Sequence, residues 1–585
     1  MKKYLLLSAA TAMMCSFGGN AQEIPVFEGA GGTMVRLLPD GVKANIEHNE
    51  HYYGDKSMMV AGSPEKGYKA FFAADDGVHG EELWVTDGTP EGTHMVKDIN
   101  EGASPSNILR ITRFNDKVIF SATDGVNGDE PWISDGTEEG TYMISDIHIV
   151  DSSNPRGFCQ IDENRFIFFA MDIESENMKD GGEKWLYISD GTEDGTSLVT
   201  DKVDCDADGR EPQISDQPSV MRVGRKVFFI GDHADKTGPT VGDELWVTDG
   251  TEEGTILLKD INLENNPNGA EGSTNGAAIA GLVNFHNEKL FFKAWSIEAG
   301  NEPWVSDGTP EGTHLIGEFC TLKHDNGNGR DGGIFRPVVY KNFICSRGDD
   351  GMHGVDLGVI NMDTYEMKLY DLSTATSGSS SWPDPGCWFD DVYLFCANTG
   401  TDANLQDPPQ YGGELICFDG EKCYLQYDYN PGTGSAWVRE PVVAGGSYYY
   451  IQSGGRNGHT FDLNRVDDIK ESPVRVSAIH ETNDQAWCIR NLGNNSIVFY
   501  SNTNGAIYSY SYTNPKANME LNPDKMEPSY LTRAEEAGVE EVAIDKSEAN
   551  GPAEYYTLQG IRTNANTPGL YIRRQGDKAA KVFVK

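Results

Sequence analysis

A twelve-residue phrase recurs through the first half of the chain, and this copying constrains the fold more than any other feature. It reads ELWVTDGTPEGT at Glu82–Thr93, EPWISDGTEEGT at Glu130–Thr141, ELWVTDGTEEGT at Glu244–Thr255 and EPWVSDGTPEGT at Glu302–Thr313. A shorter copy, LYISDGTEDGT, occupies Leu186–Thr196. The anchor aromatics Trp84, Trp132, Tyr187, Trp246 and Trp304 stand 48 to 59 residues apart. Self-similarity at that period means one supersecondary element copied and packed side by side.

Each copy follows a run of β-branched and aromatic residues, such as KVIFSA at Lys117–Ala122, RKVFFI at Arg225–Ile230 and KLFFKA at Lys289–Ala294. Another apolar stretch precedes each run across a tight turn, and a further strand follows each phrase, as in His94–Ile99 and Ile256–Ile261. Four short strands joined by hairpin signals and repeated around a ring predict an all-β fold, a β-propeller of four-stranded antiparallel blades. Fainter copies around Asp356 and Glu414, with weak hairpins at Tyr448–Val466 and Ile497–Tyr510, bring the candidates to nine. Propellers usually hold four to eight blades, so the expectation is about eight, within a range of seven to nine. Gly32–Leu37 reads as a fourth strand without the three that should precede it. Such an orphan can complete the last blade and remove an edge open to aggregation.

The phrase needs no chemistry to explain it. Glu82, Trp84 and Thr86 fall on one face of a strand and Leu83 and Val85 on the other. Asp87-Gly88-Thr89 begins a turn in which the Asp side chain can cap amides, and Gly88 and Gly92 are read as positive-φ positions. At these residues the chain resembles the ELWxxDGT repeat family of secreted bacterial proteins, strongly over Gly67–Cys320 and more faintly to about Tyr510. The resemblance implies fold and export and carries little about activity. The turn also loosely resembles the Asp boxes of sialidases, but no spaced arginine triad can be picked out from the sequence.

The chain carries 47 basic and 91 acidic residues, a net charge of −44. That balance repels phosphate backbones and argues against nucleic acid as a partner. Residues 1–21 read as a signal peptide: Lys2 and Lys3, an apolar stretch from Tyr4 to Phe17, and a small-residue cleavage site at Gly19-Asn20-Ala21. No later stretch is apolar for long enough to span a membrane as a helix. Residues 22–513 are assigned to the propeller and 514–550 to a polar linker. Residues 551–585 form a small C-terminal β module with strand signals at Tyr555–Leu558, Leu570–Arg573 and Ala580–Val584. This tail is similar to those of secreted Bacteroidales proteins. In some relatives such tails direct export through the type IX secretion system and surface attachment. The expected location is therefore secreted or at the cell surface. Nine cysteines remain beyond Cys15, four of them between Cys387 and Cys423, where local disulfides are plausible in an oxidising compartment.

The links from second to third strand and between blades share one face and carry almost every insertion. These are Asp172–Lys184, Asp204–Pro218, Asp232–Asp243, Asn262–Ala278, Thr321–Ile334, Ser373–Trp388 and Asn398–Gly413. Repeat-specific insertions commonly build a binding face. Trp295, Trp382, Trp388 and Trp437 have no place in the repeat, and rings of this kind either stack on sugars or pack beneath their own loops. Asp204, Asp206 and Asp208 alternate before Gly209 as in calcium loops, without the acidic twelfth position, which is Ser215. Calcium is the one candidate ion. The sequence thus points to a propeller binding an extracellular glycan or protein through the face with the long loops. The alternatives are a glycan-active hydrolase or lyase using the central pocket, and an architectural envelope protein.

Overall fold

A computed structural model describes residues 23–515 except 25, 47, 50–51, 54–55, 174–182, 206–218, 234–241, 263–275, 325–326, 374–379, 401–410, 430–434, 437, 454–460, 481–485, 494 and 502–504; beyond them it describes 554–556, 562–563, 569–575 and 578–584. The chain divides into two compact units, Met1–Arg533 and Ala534–Lys585. The first unit is a β-propeller of nine four-stranded antiparallel blades. In blade one the strands run Met59–Ser63, Gly67–Asp75, Glu81–Thr86 and His94–Lys97 from the axis outward. Blade five repeats the order with Ala280–Phe285, Lys289–Ser296, Gly300–Ser306 and His314–Leu315. The first strands of successive blades lie against one another, which makes them the inner wall of the ring.

Nine blades is the top of the expected range. The weak hairpins in the last third are genuine blades: Asp384–Tyr427, Val438–His480 and the ninth, Ala486–Ser511. The ninth has three strands of its own and takes its fourth from the N-terminus. Thr33–Arg36 pairs antiparallel with Tyr508–Ser511, and Glu23–Ile24 adds a fifth strand outside it. The ring closes on a shared core in which Val60, Phe72 and Trp84 of blade one pack with Cys488, Leu492, Val498 and Ile507 of blade nine. The orphan strand therefore does what its sequence suggests.

The repeated phrase works as two devices. The first is the turn. Asp87 Oδ1 accepts from both the amide and the hydroxyl of Thr89 (2.9 and 2.6 Å), Thr89 Oγ1 accepts from the Gly92 amide, and Thr86 Oγ1 meets Thr93 Oγ1 at 2.6 Å. Asp135, Asp190, Asp249 and Asp307 hold their turns in the same way. Gly88 has φ +90°, as expected, but the reading of Gly92 needs correction. It does not take a positive φ; its role is close approach, since a Cβ there would lie 2.1 Å from Asp87 Oδ1.

The second device is the buried acid that opens the phrase. Glu82 Oε2 accepts the amide of Ile99 at 2.9 Å, where the chain leaves the outer strand for the next blade. Glu130 takes Ile147, Glu244 takes Asn262, Glu302 takes Phe319, Asp356 takes Leu372 and Glu414 takes Tyr429. All six acids are buried. Each thus satisfies an amide of the link between blades that would otherwise be hidden from water. The intervening Trp84 faces blade nine, while Leu83 and Val85 face blade two, as strand alternation requires.

None of the nine cysteines among the described residues forms a disulfide, and Cys387, Cys396 and Cys417 sit together in one apolar cluster. The local disulfides expected between Cys387 and Cys423 are absent; these residues pack as small hydrophobic side chains. In the second unit, Glu554–Tyr556 lies between Arg562–Thr563 and Gly569–Gln575, and Lys578–Val584 extends the sheet. The short Arg562–Thr563 strand was not anticipated.

Candidate functional site

Each inner strand starts at the face that carries the insertions and ends at the tight turn to its neighbour. A single left-handed residue recurs just before that start. Asn107, Asn154, Ala278, Gly333 and Trp382 have φ of +54°, +48°, +47°, +68° and +46°. Their positions are equivalent because the carbonyl before each one accepts an amide from the end of the second strand. Those pairs are Ser106 with Thr123, Ser153 with Met171, Ala277 with Trp295, Gly332 with Asp349 and Ser381 with Asn398. Asn and Gly tolerate this conformation. A tryptophan there is an outlier whose strain the surroundings must hold.

Trp382 is also 53 % exposed. Its amide is fixed to the Val355 carbonyl at 3.2 Å, and the Arg347 guanidinium lies 5.6 Å from its ring. Arg347 is itself oriented, donating to the Pro383 carbonyl at 2.7 Å and to Asp384 Oδ1 at 2.8 Å. Arg336 approaches the same carboxylate at 3.5 Å, and both guanidinium groups lie over Phe335. The result is an exposed aromatic platform backed by two arginines and one aspartate, at the boundary between blades six and seven.

The other sequence candidates fall in different places. Trp295 closes the second strand of blade five, half-buried, at the insertion-face end. Trp388 is not in an insertion; it lies near the far end of an inner strand, opposite Tyr393, and is 44 % exposed at the tight-turn side. Trp437 lies outside the described residues. It follows Ala436, whose amide bonds Gly413 as Ser381 bonds Val355, so in sequence it holds the place Trp382 holds one blade earlier. Of the calcium candidates, Asp204 accepts the Lys184 amide at 2.8 Å, while Asp206 and Asp208 lie outside the described residues. Among the described residues no group of three or more His, Cys, Asp or Glu side chains is arranged to hold a metal ion.

Strongly shifted carboxyl groups often mark active sites, and here they do not. Burial, the largest cause, pushes Glu82 and Glu130 up to about 7, Glu244 and Glu302 to about 8 and Asp356 to about 6. Every one of them is engaged by an amide of the link between blades, as described above. Sequence reasoning missed Arg336, Arg347 and Asp384. Only the register of two neighbouring blades brings them beside Trp382, although an arginine in two adjacent strands of an acidic chain was a usable hint.

No family model and no curated protein matches the chain. Solved structures similar to it include a prolyl endopeptidase, at 11% identity and a TM-score of 0.31 over 73% of this chain and 55% of that one. A puromycin hydrolase matches at 13% identity and 0.29 over 65% and 56%. The β-propeller domain of the Trilobed protease from Pyrococcus furiosus matches at 12% and 0.29 over 64% and 99%. The chain spans about half the length of the first two. Likeness this loose carries no argument about activity.

Proposed function

We propose that this β-propeller is a secreted or surface-attached binding module that takes an extracellular saccharide at the insertion face, with Trp382 as the stacking platform. The fold is a scaffold for ligand binding or protein interaction, and fold alone does not choose between them. The observation that carries the saccharide reading is Trp382 itself. It is a large ring held in a strained conformation, half in solvent, with Arg347 behind it. Exposed rigid aromatics with an apolar face are suited to the flat faces of sugars, and strain retained at an exposed side chain favours function over packing. The leader and the C-terminal module of the sequence support export. Calcium at Asp204, Asp206 and Asp208 would act by shaping an insertion on the same face.

The test is a glycan array probed with residues 22–514, with and without calcium, while released sugars are monitored. Retention of a saccharide without product, lost in Trp382→Ala, is the expected result. Product release would replace this reading with a hydrolase or lyase. Retention that ignores Trp382 would move the site elsewhere.

A further inference from the structure

The chain as a whole is strongly acidic, but its innermost strands are not. The nine innermost strands hold seven arginines against two acidic residues, in a chain whose net charge is −44. Four of these arginines, Arg110, Arg156, Arg336 and Arg439, stand at the insertion-face end, in the first two positions of their strands. Carboxylates such as Asp349 and Asp384 stand at the same face, so the attraction for an anion is local to each arginine and not a field over the whole mouth.

One cation there is harder to explain structurally. Lys293 lies on the second strand of blade five, opposite Ala280 on one side and Pro303 on the other. Arg347 holds the same rung of blade six, opposite Phe335 and Leu357. Lys293 is 6% exposed, and among the described residues it has no hydrogen-bond or ion-pair partner. Burial lowers the pKa of its ammonium, and the Asp331 carboxylate offsets this only in part. Burying most of a lysine costs stability, and with its ammonium paired to no side chain among the described residues the group is open to an oxyanion from outside.

The side chains around it indicate which ligand. Phe291, two residues earlier on the strand, packs into the core between blades five and six, so Lys293 and Trp295 share the face turned towards blade six. Arg347 lies 5.6 Å from the Trp382 ring, and one blade earlier Trp295 follows Lys293 by two residues on the same strand face. An aromatic residue and a cation are therefore neighbours at two consecutive blade boundaries. A ring stacks on a sugar face and a neighbouring cation takes an oxyanion.

Building on the saccharide reading above, we propose that the mouth of the ring between blades five and seven binds an acidic oligosaccharide. Consecutive residues stack on Trp295 and Trp382, and their carboxylate or sulfate groups are held by Lys293 and Arg347. The charge contribution predicts strong salt dependence.

The experiment is isothermal titration of the full chain with oligogalacturonate, a sulfated chondroitin oligosaccharide, a neutral galactan oligosaccharide and oligoglutamate, at low and high salt. Wild type is compared with Lys293→Met and Trp382→Ala. At least one acidic saccharide is expected to bind ten-fold or more tightly than the neutral one, and the carboxylated and sulfated probes identify which oxyanion fits. Lys293→Met should weaken that binding about ten-fold, leave any neutral binding unchanged and raise the melting temperature. The gain in stability separates this result from misfolding. Equal affinity for neutral and acidic saccharides, or acidic binding indifferent to Lys293→Met, overturns the proposal while leaving the saccharide site intact. Oligoglutamate binding as tightly as the acidic sugars overturns the ligand class. Saccharide binding indifferent to Trp382→Ala, or none at all, overturns the underlying site as well.

Discussion

Arg465 Nη1 lies 2.9 Å from the carbonyl oxygen of Ala30, 435 residues earlier in the chain. The arginine belongs to blade eight and is 2% exposed, and it also reaches the Tyr510 hydroxyl at 2.7 Å. Asp467 neutralises it through two bonds of 2.7 and 2.9 Å, and its guanidinium lies over the Tyr512 ring. One side chain thus ties the incoming N-terminal segment to the last two blades at the seam of the ring. Removing it leaves a carboxylate, a carbonyl and a hydroxyl without that partner. Arg465→Ala is expected to cost about 3–5 kcal/mol, and Arg465→Lys most of that, because an ammonium cannot hold the forked geometry. Denaturant titration measures both. A loss below about 1 kcal/mol for the alanine variant would mean that the seam is held by strand pairing alone.

The turn of the repeat makes a sharper prediction, because its glycine and its aspartate compete for space. Gly92→Ala would place a methyl 2.1 Å from Asp87 Oδ1, at an expected cost of about 1–3 kcal/mol. Asp87→Ala alone loses two hydrogen bonds to Thr89, about 1–2 kcal/mol. The double variant removes the clash and should be clearly more stable than the sum of the singles predicts, a coupling readable in a double-mutant cycle. Simple additivity would show that the carboxylate does not fill the space above Gly92.

These two cases also mark what could be read from the sequence. The turn was legible because its bonds join residues two to seven apart, so spacing alone specifies Asp87 and Thr89. Closure was legible because Thr33–Arg36 is a strand lacking neighbours in its own vicinity. Arg465, by contrast, acts across the whole chain, and nothing local distinguishes it from a surface arginine. The site divides in the same way. Trp382 stood out as an aromatic without a place in the repeat, but its left-handed φ and the Arg347 and Asp384 beside it depend on the register of two blades. The buried acid of the phrase was visible, and so was the segment, KDI or SDI in several copies, that receives it 15 to 18 residues on. The bond joining them was not, because periodicity places both on the blade without saying that the acid turns inward to an amide.

Those buried acids set a pH dependence whose sign is unusual for carboxylates. The folded values of Glu82, Glu130, Glu244, Glu302 and Asp356, about 6 to 8, lie above the unfolded value of about 4.3 for Glu and 3.9 for Asp. The folded state therefore keeps protons that the unfolded state has released. Their contribution is complete below about pH 4 and declines as pH rises through about 6 to 8. The melting temperature is expected to fall between pH 5 and pH 8. General repulsion among surface acids acts in the same direction, so the decisive comparison is Glu244→Gln. The amide mimics the protonated acid and can still accept the Asn262 amide, so the variant should lose little at pH 5 and fall less steeply towards pH 8. Melting curves with a slope identical to wild type would place the titration elsewhere.

The strain at Trp382 can be measured directly by comparing two small replacements. At an ordinary helix or strand position glycine is less stable than alanine by about 0.5–1 kcal/mol. At φ +46° the order should invert, because alanine keeps the steric cost of the left-handed region and glycine does not. Trp382→Gly is therefore expected to be about 1 kcal/mol more stable than Trp382→Ala in denaturant titration. Both should lose saccharide binding equally, since neither offers a ring. If alanine proved the more stable, the backbone would have relaxed out of the left-handed region once the indole was gone. The packing of Arg347 against the ring, and not the link between blades, would then be what imposes the conformation. The same five positions around the ring make this distinction informative. Asn107, Asn154, Ala278 and Gly333 hold that conformation with no large ring, which argues that the link imposes it and that the tryptophan is retained for what it presents to solvent.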